Sequence, residues 1–140
     1  MTFKLGAKSR AQLAGVHPSL VRVVEKAIET TPIDFRVTEG LRTWERQRQM
    51  VSEGKSKTMN SRHLKGYAVD LFPLGVADVW NTRNPETKAA WRAMAEAMYE
   101  AGRDLNVPIV WGGDFNGDGP DVGNDGWDWP HFELDRRAYP

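Results

Sequence analysis

Two short stretches set histidine beside carboxylate: "SRHLKGYAVDL", residues 61–71, and "WDWPHFEL", residues 127–134. His63 and Asp70 stand seven apart, with Gly66 between them as a residue free to turn the chain, and His131 can complete a set of three. Two imidazoles and one carboxylate form a ligand set that catalytic zinc uses, with the fourth position left to water. Bound zinc brings the pKa of water down towards ~7, and a carboxylate beside that water can take its proton and pass it to a leaving group. Asp128, three residues before His131, is the candidate for that role. Each residue has a plainer reading: Asp70 could cap backbone N–H groups, and a lone His131 could be a hydrogen-bonded core histidine.

Composition narrows what else the chain could do. Its 140 residues fit one domain that buries roughly 65–70 % of its unfolded surface, so a metal is not needed merely to fold. With no cysteine, disulfides, thiolate metal sites and cysteine nucleophiles are all excluded, which leaves His, Asp and Glu as metal ligands. The opening "MTFKLGAKSRAQLAG" has no apolar run suited to a signal peptide, and no stretch approaches the ~20 apolar residues of a membrane helix. Synthesis in the cytoplasm without membrane insertion is therefore expected.

Net charge is zero but uneven, with 13 Lys/Arg against 6 Asp/Glu in residues 1–65 and the reverse in residues 66–140. A basic half could face an anionic polymer such as nucleic acid or cell wall, although a solvated surface is the commoner meaning, and no nucleic-acid partner is expected.

The elements that must position these side chains follow from periodicity. Leu20, Val21, Val24, Ala27 and Ile28 recur at helical spacing after Pro18, and "DFRVTEG" alternates like a half-buried strand. "TWERQRQMVSEG" reads as a helix with Thr43 as N-cap and Gly54 as its stop, which puts Arg42 where a strand hands over to a helix. "GYAVDLF" alternates Tyr67, Val69 and Leu71 against Ala68, Asp70 and Phe72. Asn84 and Pro85 open a helix whose stripe of Trp91, Met94, Ala95, Met98 and Tyr99 runs to about Leu105. "VPIVW" and "WPHFEL" are short strands flanking a Gly/Asp/Asn loop. With strands and helices mixed irregularly, residues 1–140 are expected to form one α+β domain, a small, mostly antiparallel sheet with flanking helices and the zinc site at the sheet.

"SRHLKGYAVDL" followed by "DWPHFEL" resembles the zinc peptidases of the D-alanyl-D-alanine carboxypeptidase and VanX-like group, particularly the phage endolysin branch of L-alanoyl-D-glutamate peptidases. "GVHPSLVRVV", "TEGLRTWERQ", "GKSKTMNSRH" and "WGGD" are similar to that branch too, so the likeness covers nearly all of the chain. The resemblance implies that His63, Asp70 and His131 hold zinc and that Asp128 is the general base, where many relatives carry glutamate. It also matches Arg42 to an arginine that points into the cleft, where it would hold a substrate oxygen or the charge growing on the attacked carbonyl. Pairing with Glu39 or Glu45 is the structural alternative for Arg42. Ser61 would contact the substrate peptide or cap a turn.

The activity implied is cleavage of the L-alanyl-D-glutamate bond in peptidoglycan stem peptides. Two alternatives stay open: a D-alanyl-D-alanine carboxypeptidase or dipeptidase, and a zinc-bearing module that grips the wall without cutting. The lack of a signal peptide fits a lysis enzyme that waits in the host bacterial cytoplasm until a partner permeabilises the membrane; a monomer is expected, with no separate wall-binding domain left over after the catalytic one is counted.

Three residues or groups lie outside that core. His17, lacking a carboxylate in a matching motif, is read as structural at the start of a helix. Glu133 shares a strand face with His131 and could accept its hydrogen bond. Asp114, Asn116, Asp118 and Asp125 fall at positions 1, 3, 5 and 12 of an EF-hand-like loop, with Gly119 at position 6, so calcium is a candidate ligand. Against calcium stand aspartate at position 12, Pro120 within the loop, and no evident EF-hand helix pair.

Overall fold

The computed structural model describes residues 2–56, 58–81, 83–114 and 128–140. Its centre is a helix pair, α2 (Pro18–Thr30) and α4 (Pro85–Leu105), packed against one antiparallel sheet. Both helices open as the sequence requires: Asn84 accepts from the N–H of Glu86 ahead of Pro85, and the His17 ring accepts from the N–H of Ser19 ahead of Pro18. Leu20, Val24 and Ala27 of α2 and Trp91, Met94, Ala95 and Met98 of α4 are fully buried, as their spacing leads one to expect; Val23, outside the expected stripe, is buried with them, while Val21, within it, is half-buried. No described helix is long and apolar enough to cross a membrane.

The sheet has the order β1 (Phe35–Glu39), β2 (Ala68–Pro73), β4 (His131–Leu134), β3 (Ile109–Trp111), each neighbouring pair antiparallel. On β2, Val69 and Leu71 are buried in the core while Asp70 and Phe72 are half-buried; on β4, Phe132 and Leu134 are buried while His131 and Glu133 are half-buried. This period of two sorts the chemistry onto one face and the core onto the other. The α+β domain with a small antiparallel sheet and flanking helices is as expected.

Three details differ from the sequence reading. A short helix, α1 (Ala7–Gln12), precedes α2; it has no apolar repeat, and its buried Ser9 hydroxyl accepts the N–H of Val37 on β1 at 3.0 Å. Tertiary contact, not periodicity, holds it there. On β1 the pairing with β2 slips between Val37 and Glu39, a bulge that brings Glu39 opposite Asp70. His63 lies on a 3-10 helix, Arg62–Lys65, which no periodicity in the sequence marks.

That 3-10 helix ends at Gly66 with φ 73°, and the chain then turns directly into β2. A Cβ on Gly66 would stand 2.5 Å from the carbonyl oxygen of Gly15, so both backbone conformation and space demand glycine. Gly66→Ala is expected to cost about 2 kcal/mol or more in denaturant unfolding. A loss below about 0.5 kcal/mol would contradict this account of how His63 is set beside β2.

Candidate metal centre

Asp70 and His131 are direct cross-strand partners on β2 and β4. Antiparallel pairing places their side chains on one face within reach of each other, and His131 Nδ1 lies 3.5 Å from Asp70 Oδ1. His63 approaches the same oxygen from the 3-10 helix, with Nε2 at 3.1 Å. One donor atom from each of the three residues lies within 4.8 Å of the other two. A tetrahedral zinc ion with bonds of about 2.0–2.2 Å holds its ligands about 3.4 Å apart, so the separations to Asp70 already suit such an ion.

Each imidazole also has its other nitrogen engaged. His63 Nδ1 sits 2.8 Å from the carbonyl of Gly40, which fixes that nitrogen as the N–H and leaves Nε2 for a ligand. His131 is turned the other way, with Nε2 2.9 Å from Glu133 Oε1 and Nδ1 towards Asp70. Glu133 occupies the His131 face, as its position two residues along the strand requires.

Electrostatics match the geometry. Burial would raise the Asp70 carboxyl, but hydrogen bonds and charge from His131 and His63 hold it well below the usual carboxylate range. Burial disfavours charge on His131, yet Asp70 and Glu133 outweigh it and push the imidazole up to about 9. Asp128 behaves oppositely: burial and the neighbouring Asp70 charge raise its carboxyl, against the opposing pull of His131, His63 and Arg42. Its backbone is pinned at the end of β3, donating to Gly112 O at 3.1 Å and accepting from the N–H of His131 at 3.1 Å. A Cβ on Gly112 would collide with the Asp128 carbonyl, so glycine there permits this close approach. The half-buried Trp129 beside it meets the rings of Trp91 and Trp111 edge-on.

Arg42 is buried and belongs to a tight net. Its Nε and Nη2 each donate to a Glu39 carboxylate oxygen at 2.7 Å, and Nη1 donates to Gln47 Oε1 at 2.7 Å and to Ser61 Oγ at 3.4 Å. Of the two acids named from the sequence, Glu39 is the partner. Ser61 caps the 3-10 helix, accepting the His63 N–H at 3.2 Å, and the Arg42 N–H donates to the His63 carbonyl at 2.9 Å. Both residues therefore grip the backbone of His63. Gln47, fully buried on α3 (Trp44–Ser52), escaped the sequence reading; a polar residue four after the Thr43 N-cap carries no signal that it turns inward. Arg62 escaped it for a similar reason, being one cation among many in a basic half.

His17 is structural, capping α2 between the rings of Tyr67 and Tyr139. Of the candidate calcium ligands, Asp114 is buried at the turn after β3, while Asn116, Asp118 and Asp125 lie outside the described residues.

With this geometry, the chain matches the family described as phage L-alanyl-D-glutamate peptidase over residues 1–135. The chain belongs to that family. It is 34 % identical over 142 residues to the L-alanyl-D-glutamate peptidase of Escherichia phage T5, covering 96 % of this chain and 99 % of the phage protein. Its fold is similar to the crystal structure of the Serratia marcescens L-Ala D-Glu endopeptidase ChiX, with a TM-score of 0.76 and 37 % identity over 98 % of this chain and 94 % of that one. Family membership thus covers the whole constellation, from His63 to His131.

The pairing of Asp70 with His131 sets a pH dependence in the metal-free protein. His131 binds its proton more tightly folded than unfolded, so its contribution is full below about 6.5 and is lost as pH rises through about 9. Asp70, held low, contributes above its ordinary 3.8 and loses that contribution as pH falls. These are one interaction seen from two partners and count once. Chelator-treated protein should therefore be less stable near pH 9.5 than near pH 6, by on the order of 1–3 kcal/mol in denaturant titrations. Equal stability at both would refute the pairing.

Proposed function

We propose that this chain is a zinc-dependent peptidase that hydrolyses the L-alanyl-D-glutamate bond of peptidoglycan stem peptides. The observation that carries the proposal is the convergence of His63, Asp70 and His131 on one point with the Asp128 carboxyl beside them. The names of the phage T5 and Serratia relatives support the bond. The donor set suits zinc: two imidazoles with their ligand nitrogens fixed, and one carboxylate that stays ionised.

When bound, zinc supplies Lewis-acid polarisation of the scissile carbonyl and acidifies water towards neutral pKa. The remaining work falls to side chains. Asp128, with its carboxyl raised by burial, takes a proton from the attacking water and returns it to the departing amine. Arg42, its charge paired with Glu39 and its guanidinium held by Gln47 and Ser61, acts on the site through the backbone of His63, to whose carbonyl it donates. The same net keeps His63 in place, so its loss would harm both binding and catalysis.

Mass spectrometry of purified peptidoglycan after incubation with the zinc-loaded protein tests this. New D-glutamate amino termini are expected, and Asp128→Asn should retain zinc yet lose about 10²–10⁴ in rate. Loss of terminal D-alanine alone would make the enzyme a carboxypeptidase. Walls left uncut by protein with zinc bound would favour a binding module.

A further inference from the structure

The two histidines are oriented by unlike partners. His63 is held by a backbone carbonyl, whereas His131 is held by a carboxylate, Glu133 Oε1 at 2.9 Å. That carboxylate is itself fixed, because its Oε2 lies 3.5 Å from Arg62 Nε and 3.1 Å from Arg136 Nε. Arg136, largely exposed, donates its Nε–H to that oxygen, while Arg62 is buried, with 7 % of its side chain accessible, and stands beside it as an ion-pair partner whose Nε makes no hydrogen bond among the described residues. Its Nη2 donates to the carbonyls of Leu134 at 3.0 Å and Tyr139 at 2.6 Å, and its guanidinium carbon sits 4.8 Å from the centre of the Tyr67 ring. A lysine could not meet the Glu133 carboxylate, two carbonyls and a ring face at once.

Glu133 cannot itself serve as a ligand or base in this arrangement, since it meets the ring at Nε2 while Asp70 lies at Nδ1. We infer that Arg62 and Glu133 form a positioning pair that selects the nitrogen through which His131 meets the metal. Arg62 holds Glu133 by charge, Glu133 accepts the Nε2–H, and Nδ1 is the nitrogen that faces Asp70 and would exchange its proton for a metal. An anionic acceptor also strengthens the opposite nitrogen as a donor, and losing such a partner typically weakens metal binding 10–100-fold. This inference rests on the metal reading above, and its tests read metal binding, not wall cleavage.

Chelator competition is expected to show zinc held about tenfold more weakly by Glu133→Gln, whose amide still accepts a hydrogen bond, and up to about 100-fold more weakly by Glu133→Ala. The cobalt(II) absorption spectrum should change with them. In unaltered protein carrying ¹⁵N-histidine and loaded with ¹¹³Cd, metal–nitrogen coupling should appear at Nδ1 of His131 and Nε2 of His63. That measurement decides the matter alone if the variants do not fold. Coupling at His131 Nε2, or variants matching the parent in both affinity and spectrum, would overturn the pair. A parent protein that binds none of the three metals would overturn the metal reading and this inference with it.

Discussion

A carboxylate in the middle of an apolar strand is the constraint on which this structure turns. Asp70 lies between the buried Val69 and Leu71, and an ionised group there needs compensating partners to remain charged. Sheet register supplies one of them, His131, directly across on β4; the 3-10 helix supplies the other, His63. A one-residue slip of β4 against β2 would turn His131 and Glu133 into the core and Phe132 out to solvent. The burial of Phe132 and Leu134 therefore guards the register that the chemistry needs.

Around this centre, each donor is oriented by a different part of the fold. Gly40, in the segment after β1, receives the His63 N–H; the Arg42 and Ser61 net clasps the His63 backbone; Arg62 and Glu133 hold His131 from behind. Asp128 alone is placed by a turn, the one that leads from the close contact with Gly112 into β4. These supports come from segments far apart in the chain, so the site forms only when the sheet is complete. A rigid surround of this kind keeps the imidazole nitrogens pre-aimed, which lowers the cost of ordering them on binding.

Much of this was legible in the sequence because it is periodic or local. The stripes of α2 and α4, the Thr43 and Asn84 caps and the alternation of β2 all follow from side-chain type at fixed spacing. His63, Asp70, His131 and Asp128 stood out as ionisable residues in apolar strands or at their edges. What could not be read was non-local. Helix α1 rests on one hydroxyl reaching β1, the β1 bulge depends on pairing with β2, and Gln47 and Arg62 look like ordinary surface polar residues until the fold turns them inward. Arg42 shows the same limit: two acids lay at helical or turn distance, and only the bulge, by aiming Glu39 at the site, decides between them.

Register and a glycine turn bring three side chains together as a candidate site for one metal ion. Anomalous diffraction at the zinc absorption edge, from crystals of the zinc-loaded protein, tests it most directly. A single strong peak bonded to His63 Nε2, Asp70 Oδ1 and His131 Nδ1 is the predicted result. Zinc found elsewhere on the chain with these three donors bare would contradict the account.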